Sequence, residues 1–128
     1  MRNTNVELSK NELELVTSSE VILTKNRIIE KVYLLFGSLS EEYRRLLQAH
    51  SSKLAPEVFQ QSPKISRGEQ YLGLPYVMLD YPRIFSKDDV FAIRSFFWWG
   101  NHFSIRLQLS GKYLQMAQNR LMPRMVSN

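Results

Sequence analysis

Arg94 and Asp80 are the two residues whose types and setting most suggest chemistry. Arg94 lies in an apolar, aromatic stretch, where burial of its guanidinium is costly unless a carboxylate compensates the charge. Asp80, within the apolar residues 74–81, is the natural partner. The pair is either a structural ion pair or part of a pocket for an anionic ligand, since arginine donates paired hydrogen bonds to such groups. In the second case the protein is a ligand-binding protein or an enzyme, and the pocket also includes Tyr76 and neighbouring aromatic rings.

A second candidate is the aromatic and basic segment of residues 91–110. Phe97, Trp99, His102 and Arg106 are predicted to share one face of a β-hairpin, where rings can stack on bases and an arginine can contact phosphates. The same residue types also fill ordinary sheet cores, because aromatic residues dominate cross-strand pairs. An exposed patch of this kind is larger than a monomer usually leaves in water, which favours a dimer or a binding site.

Residue content excludes several classes of enzyme. The sequence has no cysteine, and therefore no disulfide, thiolate zinc site or cysteine nucleophile. His50 and His102 are its two histidines, and neither has the spacing of a metal site. Asp88 and Asp89 follow Ser86 in a pattern that favours capping over a catalytic carboxylate pair. Without a glycine-rich phosphate loop or a nucleophile elbow, the sequence predicts no cofactor and favours a protein that is not an enzyme.

The net charge of +5 lies entirely in the C-terminal half. Residues 1–60 hold eight basic and eight acidic side chains, whereas residues 61–128 hold nine basic and four acidic ones. No Asp or Glu occurs after Val90, which favours an anionic partner such as a nucleic acid. The longest apolar runs fall far short of the ~20 residues that span a bilayer, and no signal-peptide pattern is present. The sequence therefore predicts a cytoplasmic protein that does not associate with membranes.

Helical patterns dominate residues 1–52. Ser9 and Glu12 form a capping-box pattern that predicts a short first helix. Residues 20–36 have apolar side chains at helical spacing, and Gly37 is predicted to end that helix. A third helix, capped by Ser38 or Ser40 and with Tyr43 as the first residue of its apolar pattern, would then complete a helical hairpin. Residues 53–73 contain prolines and polar residues and are predicted to be a connector.

Strand patterns dominate residues 74–111. Residues 74–81 form an apolar run that Pro82 is predicted to end. Residues 86–99 fit either a helix or a strand, and the strand is preferred because Gly100 and Asn101 resemble a two-residue turn between β-rich segments. That turn places Trp99 opposite His102 and puts Arg94 on the inward, apolar face. A helix over residues 112–122 is predicted to complete the chain.

One stretch of the sequence resembles a known group of proteins. The segments LPYVMLDYP at residues 74–82, FAIR at 91–94 and FWWGN at 97–101 are similar to a family of bacterial hypothetical proteins without an assigned function. The resemblance covers residues 74–111 and implies a bacterial, cytoplasmic protein. It implies no activity, ligand or catalytic residue.

Together these patterns predict one α+β domain over residues 1–128, with N-terminal helices packed on a small antiparallel sheet and a C-terminal helix. The predicted function is an interaction module that associates with itself, or with another protein, through the aromatic and basic face. Two alternatives remain open: binding of nucleic acid through the basic C-terminal half, and a pocket for a small anionic ligand, or an active site, around Asp80 and Arg94.

Overall fold

The computed structural model describes residues 6–121, and its elements confirm the predicted α+β class. The helices are α1 (Lys10–Val16), α2 (Ser19–Ala49) and α3 (Lys112–Leu121), with two short 3-10 helices at Ser51–Lys53 and Pro56–Phe59. The strands are β1 (Lys64–Tyr71), β2 (Leu74–Phe85), β3 (Val90–Trp98) and β4 (His102–Ser110). The C-terminal helix is confirmed as far as Leu121, and residue 122 lies outside the described residues.

The chain divides into two compact units, Met1–Lys31 and Val32–Asn128. In the first, the predicted capping box is confirmed: the Ser9 backbone N–H donates to Glu12 Oε1 at 2.8 Å, and the Glu12 N–H donates to Ser9 Oγ at 3.1 Å. Helix α1 buries none of its side chains. That one domain spans residues 1–128 stays a prediction.

Helix α2 is continuous, so the predicted helix end at Gly37 and the helical hairpin are wrong. A glycine inside a helix costs about 1 kcal/mol relative to alanine. Packing outweighs that cost, because Val32, Phe36 and Ser40 recur every four residues and are all buried. The Ser40 hydroxyl also donates to the Gly37 carbonyl at 2.7 Å.

The second unit contains a four-stranded antiparallel sheet in the order β1-β2-β3-β4. Strand β1 falls inside residues 53–73, which were predicted to be a connector, so the sheet begins earlier than expected. Leu72 and Gly73 join β1 to β2, and both have positive φ values, 51° and 83°. Positive φ at both central positions is typical of the tight turn that matches the twist of a hairpin.

Strand β2 continues past Pro82 to Phe85, so the predicted strand end at this proline is wrong. The strand passes the proline through an irregularity: Asp80 pairs with Arg94, and Arg83 pairs next with Ala92. A bulge of this kind is one of the few places in a sheet where a proline is tolerated.

Residues 90–98 form strand β3, so the preferred strand is confirmed and the helical alternative is wrong. The predicted register is wrong by one residue, because Trp98, and not Trp99, lies opposite His102. The loop holds three residues: the Asn101 N–H donates to the Trp98 carbonyl at 3.0 Å, and Gly100 has φ +76°. A one-residue shift exchanges the face of every β4 side chain relative to β3.

The sheet has two unlike faces. Residues 32–49 of α2 contact one of them: the Phe36 ring packs edge-on against Phe103 at 6.4 Å, and the Tyr43 hydroxyl lies 3.5 Å from Ser95 Oγ. This helix-covered face holds the core residues Val77, Leu79 and Ser95. In register it comprises the side chains of Val77, Leu79, Phe91, Ile93, Ser95, Phe97, Phe103, Ile105, Leu107 and Leu109. The opposite face, called the open face below, includes those of Lys64, Ser66, Tyr76, Met78, Asp80, Arg83, Ala92, Arg94, Phe96, Trp98, His102, Ser104, Arg106 and Gln108.

Candidate functional site

Asp80 and Arg94 form the predicted pair on neighbouring strands, but the prediction that Arg94 lies on the inward face is wrong, because both residues lie on the open face. Arg94 Nε donates to Asp80 Oδ1 at 2.8 Å and Nη2 donates to Oδ2 at 3.1 Å, a bidentate contact. These bonds raise the pKa of the Arg94 guanidinium above its ordinary value. The Asp80 side chain is 11% exposed and that of Arg94 is 49% exposed, so the carboxylate is buried beneath an arginine that reaches solvent.

Arg106 lies directly across from Arg94 on the next strand. Two like charges at directly opposed positions destabilise a sheet. Both arginines line a small pocket of about 120 Å³, whose other lining residues are Tyr71, Phe96 and Ser104. Cations, a hydroxyl and aromatic rings are therefore brought together at one place on the open face.

Aromatic rings extend the open face beyond the arginines. The Tyr71 ring stands almost perpendicular to those of Tyr76, Phe96 and Trp98, at 6.1, 5.6 and 4.9 Å between centroids. Trp98 Nε1 also donates to the Tyr71 carbonyl at 3.0 Å. Gly68 makes room for this arrangement, because a Cβ at that position would overlap the Tyr76 ring.

The aromatic and basic face predicted from the sequence is not formed, and its residues are divided between surfaces. Phe97 lies on the helix-covered face, with its ring 4.9 Å from that of Phe103. Trp99 lies in the loop, where its N–H donates to the Pro75 carbonyl at 2.9 Å. Only His102 and Arg106 lie on the open face, with Arg94 and Asp80. The division follows from the one-residue difference in register.

Several residues of the open face were not predicted as site residues. Tyr71 falls in the segment that was predicted to be a connector, and Phe96 shares the face of Arg94, which was predicted to be inward. The sequence signal that could have found Tyr71 is the Leu72-Gly73 turn, which marks a hairpin ahead of β2.

A second surface lies along β4, on the helix-covered side of the sheet. Phe103, Ile105 and Leu107 are 56%, 66% and 56% exposed, although their side chains point to the side that carries the core. Beside Leu107 lies an open apolar pocket of about 620 Å³. It is lined by His50, Lys53, Leu54, Phe91, Leu107, Leu109, Tyr113, Met116 and Ala117. We call the three exposed side chains the β4 apolar row.

Glu57 connects the segment before the sheet to the start of α3. Its Oε1 accepts hydrogen bonds from Lys112 Nζ at 2.5 Å and from the Tyr113 hydroxyl at 2.7 Å. These bonds, that of Lys112 first, lower the pKa of Glu57 from 4.5 to about 2. Burial, followed by the bond to Glu57, raises the pKa of the Tyr113 hydroxyl. The cluster links the start of α3 to the segment before the sheet, beside the 620 Å³ pocket.

Because the pKa of Glu57 is lower in the folded protein, its carboxylate stabilises the fold above pH 4.5. That contribution is expected to disappear as the pH falls from 4.5 to about 2. Glu57→Gln should therefore make the free energy of unfolding depend less steeply on pH over this interval, as measured by urea unfolding at a series of pH values. Lys112→Met removes the main cause of the shift and should also flatten the dependence. Identical slopes for the wild type and Glu57→Gln would contradict the assignment.

The described residues contain no candidate metal site of the kind that clustered ligand side chains form. Within residues 6–121, no group of three or more His, Asp or Glu side chains could hold a metal ion. No helix in the same range is both long and apolar enough to cross a membrane, and the cytoplasmic location stays a prediction. Comparisons with protein-family models, curated proteins and solved structures find no match to the chain. The resemblance of residues 74–111 to bacterial proteins also stays a prediction.

Proposed function

We propose that the protein is an interaction module that associates with a second copy of itself through β4. The observation that carries the proposal is the β4 apolar row, three adjacent inward-pointing side chains that are each more than half exposed. Burial of apolar surface is worth about 25 cal/mol per Å², so a row of this kind is a source of association energy. Exposed apolar patches on soluble proteins often mark interaction sites.

The edge of β4 supports the same proposal, because it has few of the features that usually protect an edge strand. Its nine residues include no proline and a single Lys or Arg, Arg106, and its pairing with β3 contains no register shift. Strand β1, at the opposite edge, has a register shift between Gly68 and Tyr71 and carries Lys64 and Arg67. Of the two edges, β4 is therefore the one suited to accept another strand.

Side-chain chemistry favours one antiparallel pairing between two β4 strands. A two-fold axis at Ile105 places Ile105 against its own copy, Phe103 against Leu107, and Arg106 against Ser104. An axis at Arg106 would instead place two guanidinium groups opposite one another, which is unfavourable. The first pairing joins the two apolar rows and brings Phe103 of the second copy next to the 620 Å³ pocket beside Leu107.

Ile105→Lys is expected to raise the dissociation constant of the dimer roughly 100-fold or more. The substituted residue meets its own copy at the axis, where two ammonium groups would be buried without partners. Sedimentation equilibrium over a range of protein concentrations measures the effect. Because Ile105 is 66% exposed in the monomer, the variant should fold normally, which circular dichroism checks.

Gln108→Lys is the matched control, because it adds the same charge to the same strand on the open face. It should change the dissociation constant only slightly. A wild-type protein that stays monomeric at its highest soluble concentration would overturn the proposal, and so would equal weakening by the two substitutions.

A further inference from the structure

The open face carries an excess of positive charge. Its positions in register hold Lys64, Arg83, Arg94 and Arg106, against the single carboxylate of Asp80. Both carboxylate oxygens of Asp80 already accept hydrogen bonds from Arg94. Within residues 6–121, Arg106 has no carboxylate partner. An opposed pair of arginines with one buried counter-charge is stabilised when an anion binds between them.

Asp80 holds Arg94 ready for such an anion. The bidentate contact uses Nε and Nη2, which leaves the Nη1 donors outside the ion pair. Because the carboxylate fixes the guanidinium plane, little side-chain freedom is lost when a ligand binds. Asp80 is thus a positioning residue. Arg94 and Arg106 are the groups that contact the anion, in a pocket of about 120 Å³ that also includes the Ser104 hydroxyl.

Tyr71 supplies a second kind of contact in the same pocket. It is 50% exposed, so part of its ring is accessible to a ligand. Its near-perpendicular contacts with Tyr76, Phe96 and Trp98 fix the orientation of that ring. A rigid, partly exposed ring beside two arginines matches a ligand that combines a flat aromatic group with a phosphate.

We propose that the open face binds single-stranded nucleic acid, with a backbone phosphate between Arg94 and Arg106 and a base stacked on Tyr71. Charge complementarity identifies the ligand as an anion, and the adjoining rings favour nucleic acid over an acidic peptide. The paired bases of a duplex offer no free ring for stacking, so a single strand is preferred. A strand extending along the face can also reach Lys64 and Arg83, which a single nucleotide cannot.

Fluorescence anisotropy with a labelled, mixed-sequence single-stranded RNA tests the proposal at low and at moderate salt. The wild type should bind, with an affinity that falls as salt rises. Arg106→Gln should weaken binding roughly tenfold and lower the salt slope by about one. Tyr71→Ala should weaken binding roughly tenfold through lost stacking, while the salt slope stays unchanged.

Arg45→Gln is the matched control, because it removes one exposed positive charge from α2, away from the open face. It should change the affinity less than about twofold. The proposal fails if the wild type does not bind RNA at low salt, or if Arg45→Gln weakens binding as much as Arg106→Gln does. It also fails if a duplex, inorganic polyphosphate or a mononucleotide competes as well as the unlabelled single strand.

Discussion

Replacement of Phe36 by alanine is expected to lower the free energy of unfolding by about 3–5 kcal/mol. Phe36 is 2% exposed, and its ring packs edge-on against Phe103 at 6.4 Å. Truncation removes the ring from the contact between α2 and the sheet and leaves a cavity that neighbouring side chains fill only in part. Because domains of this size are stable by only about 5–15 kcal/mol, the variant should unfold at much lower urea concentrations.

Leu34→Ala provides the control for Phe36→Ala. Leu34 lies two residues earlier on the same helix but is 73% exposed, so its truncation should cost less than about 0.5 kcal/mol. Urea unfolding of both variants at one protein concentration, followed by circular dichroism, measures the difference. Equal losses would mean that residues 32–49 of α2 do not pack on the sheet as described.

The strands that were predicted correctly are those with strong local signals. Residues 74–81 and 90–98 are rich in apolar and aromatic residues, and both are strands. The pair of Asp80 and Arg94 was predicted by the same physical reasoning, because a charge in an apolar strand needs a partner. Here the local sequence and the three-dimensional structure agree.

Strand β1 was missed because its signal is not local. Lys64–Tyr71 has a mostly polar sequence with a central glycine, and it becomes a strand by pairing with β2. Gly37 shows the opposite case, where a local signal to end the helix is outweighed by the packing of Val32, Phe36 and Ser40. In both segments tertiary contacts override propensity.

The one-residue difference between the predicted and the observed pairing of β3 with β4 has the largest consequence for the candidate sites. Gly100 and Asn101 fit a two-residue turn, but the loop also includes Trp99. As a result, Arg94, which was predicted to lie on the inward face, joins Arg106 on the open face, and Phe97 joins Phe103 and Ile105 on the helix-covered face. Composition alone could not show that Phe97 lies apart from His102 and Arg106, because the faces of these side chains depend on which residue begins the turn.

Gly111 lies where β4 ends and α3 begins, in close contact with the loop between β2 and β3. Its φ is +62°, a value that L-residues with a side chain rarely adopt. A Cβ at this position would overlap Asp89 Oδ1 and the Asp88 carbonyl oxygen. Asp89 Oδ1 also accepts the Lys112 N–H at 2.8 Å, so it cannot move without loss of that bond.

Gly111→Ala is therefore expected to lower the free energy of unfolding by about 3–4 kcal/mol, the sum of backbone strain and steric overlap. Gly100→Ala separates the two causes, because Gly100 has a similar φ of +76° but no atom within 4 Å of the position that a Cβ would take. Strain alone should cost that variant about 1–2 kcal/mol. Urea unfolding of both variants should thus give a difference of about 2 kcal/mol. If the two variants lose the same stability, the close contact between Gly111 and the β2–β3 loop is absent in solution, and α3 is not fixed there by Asp89.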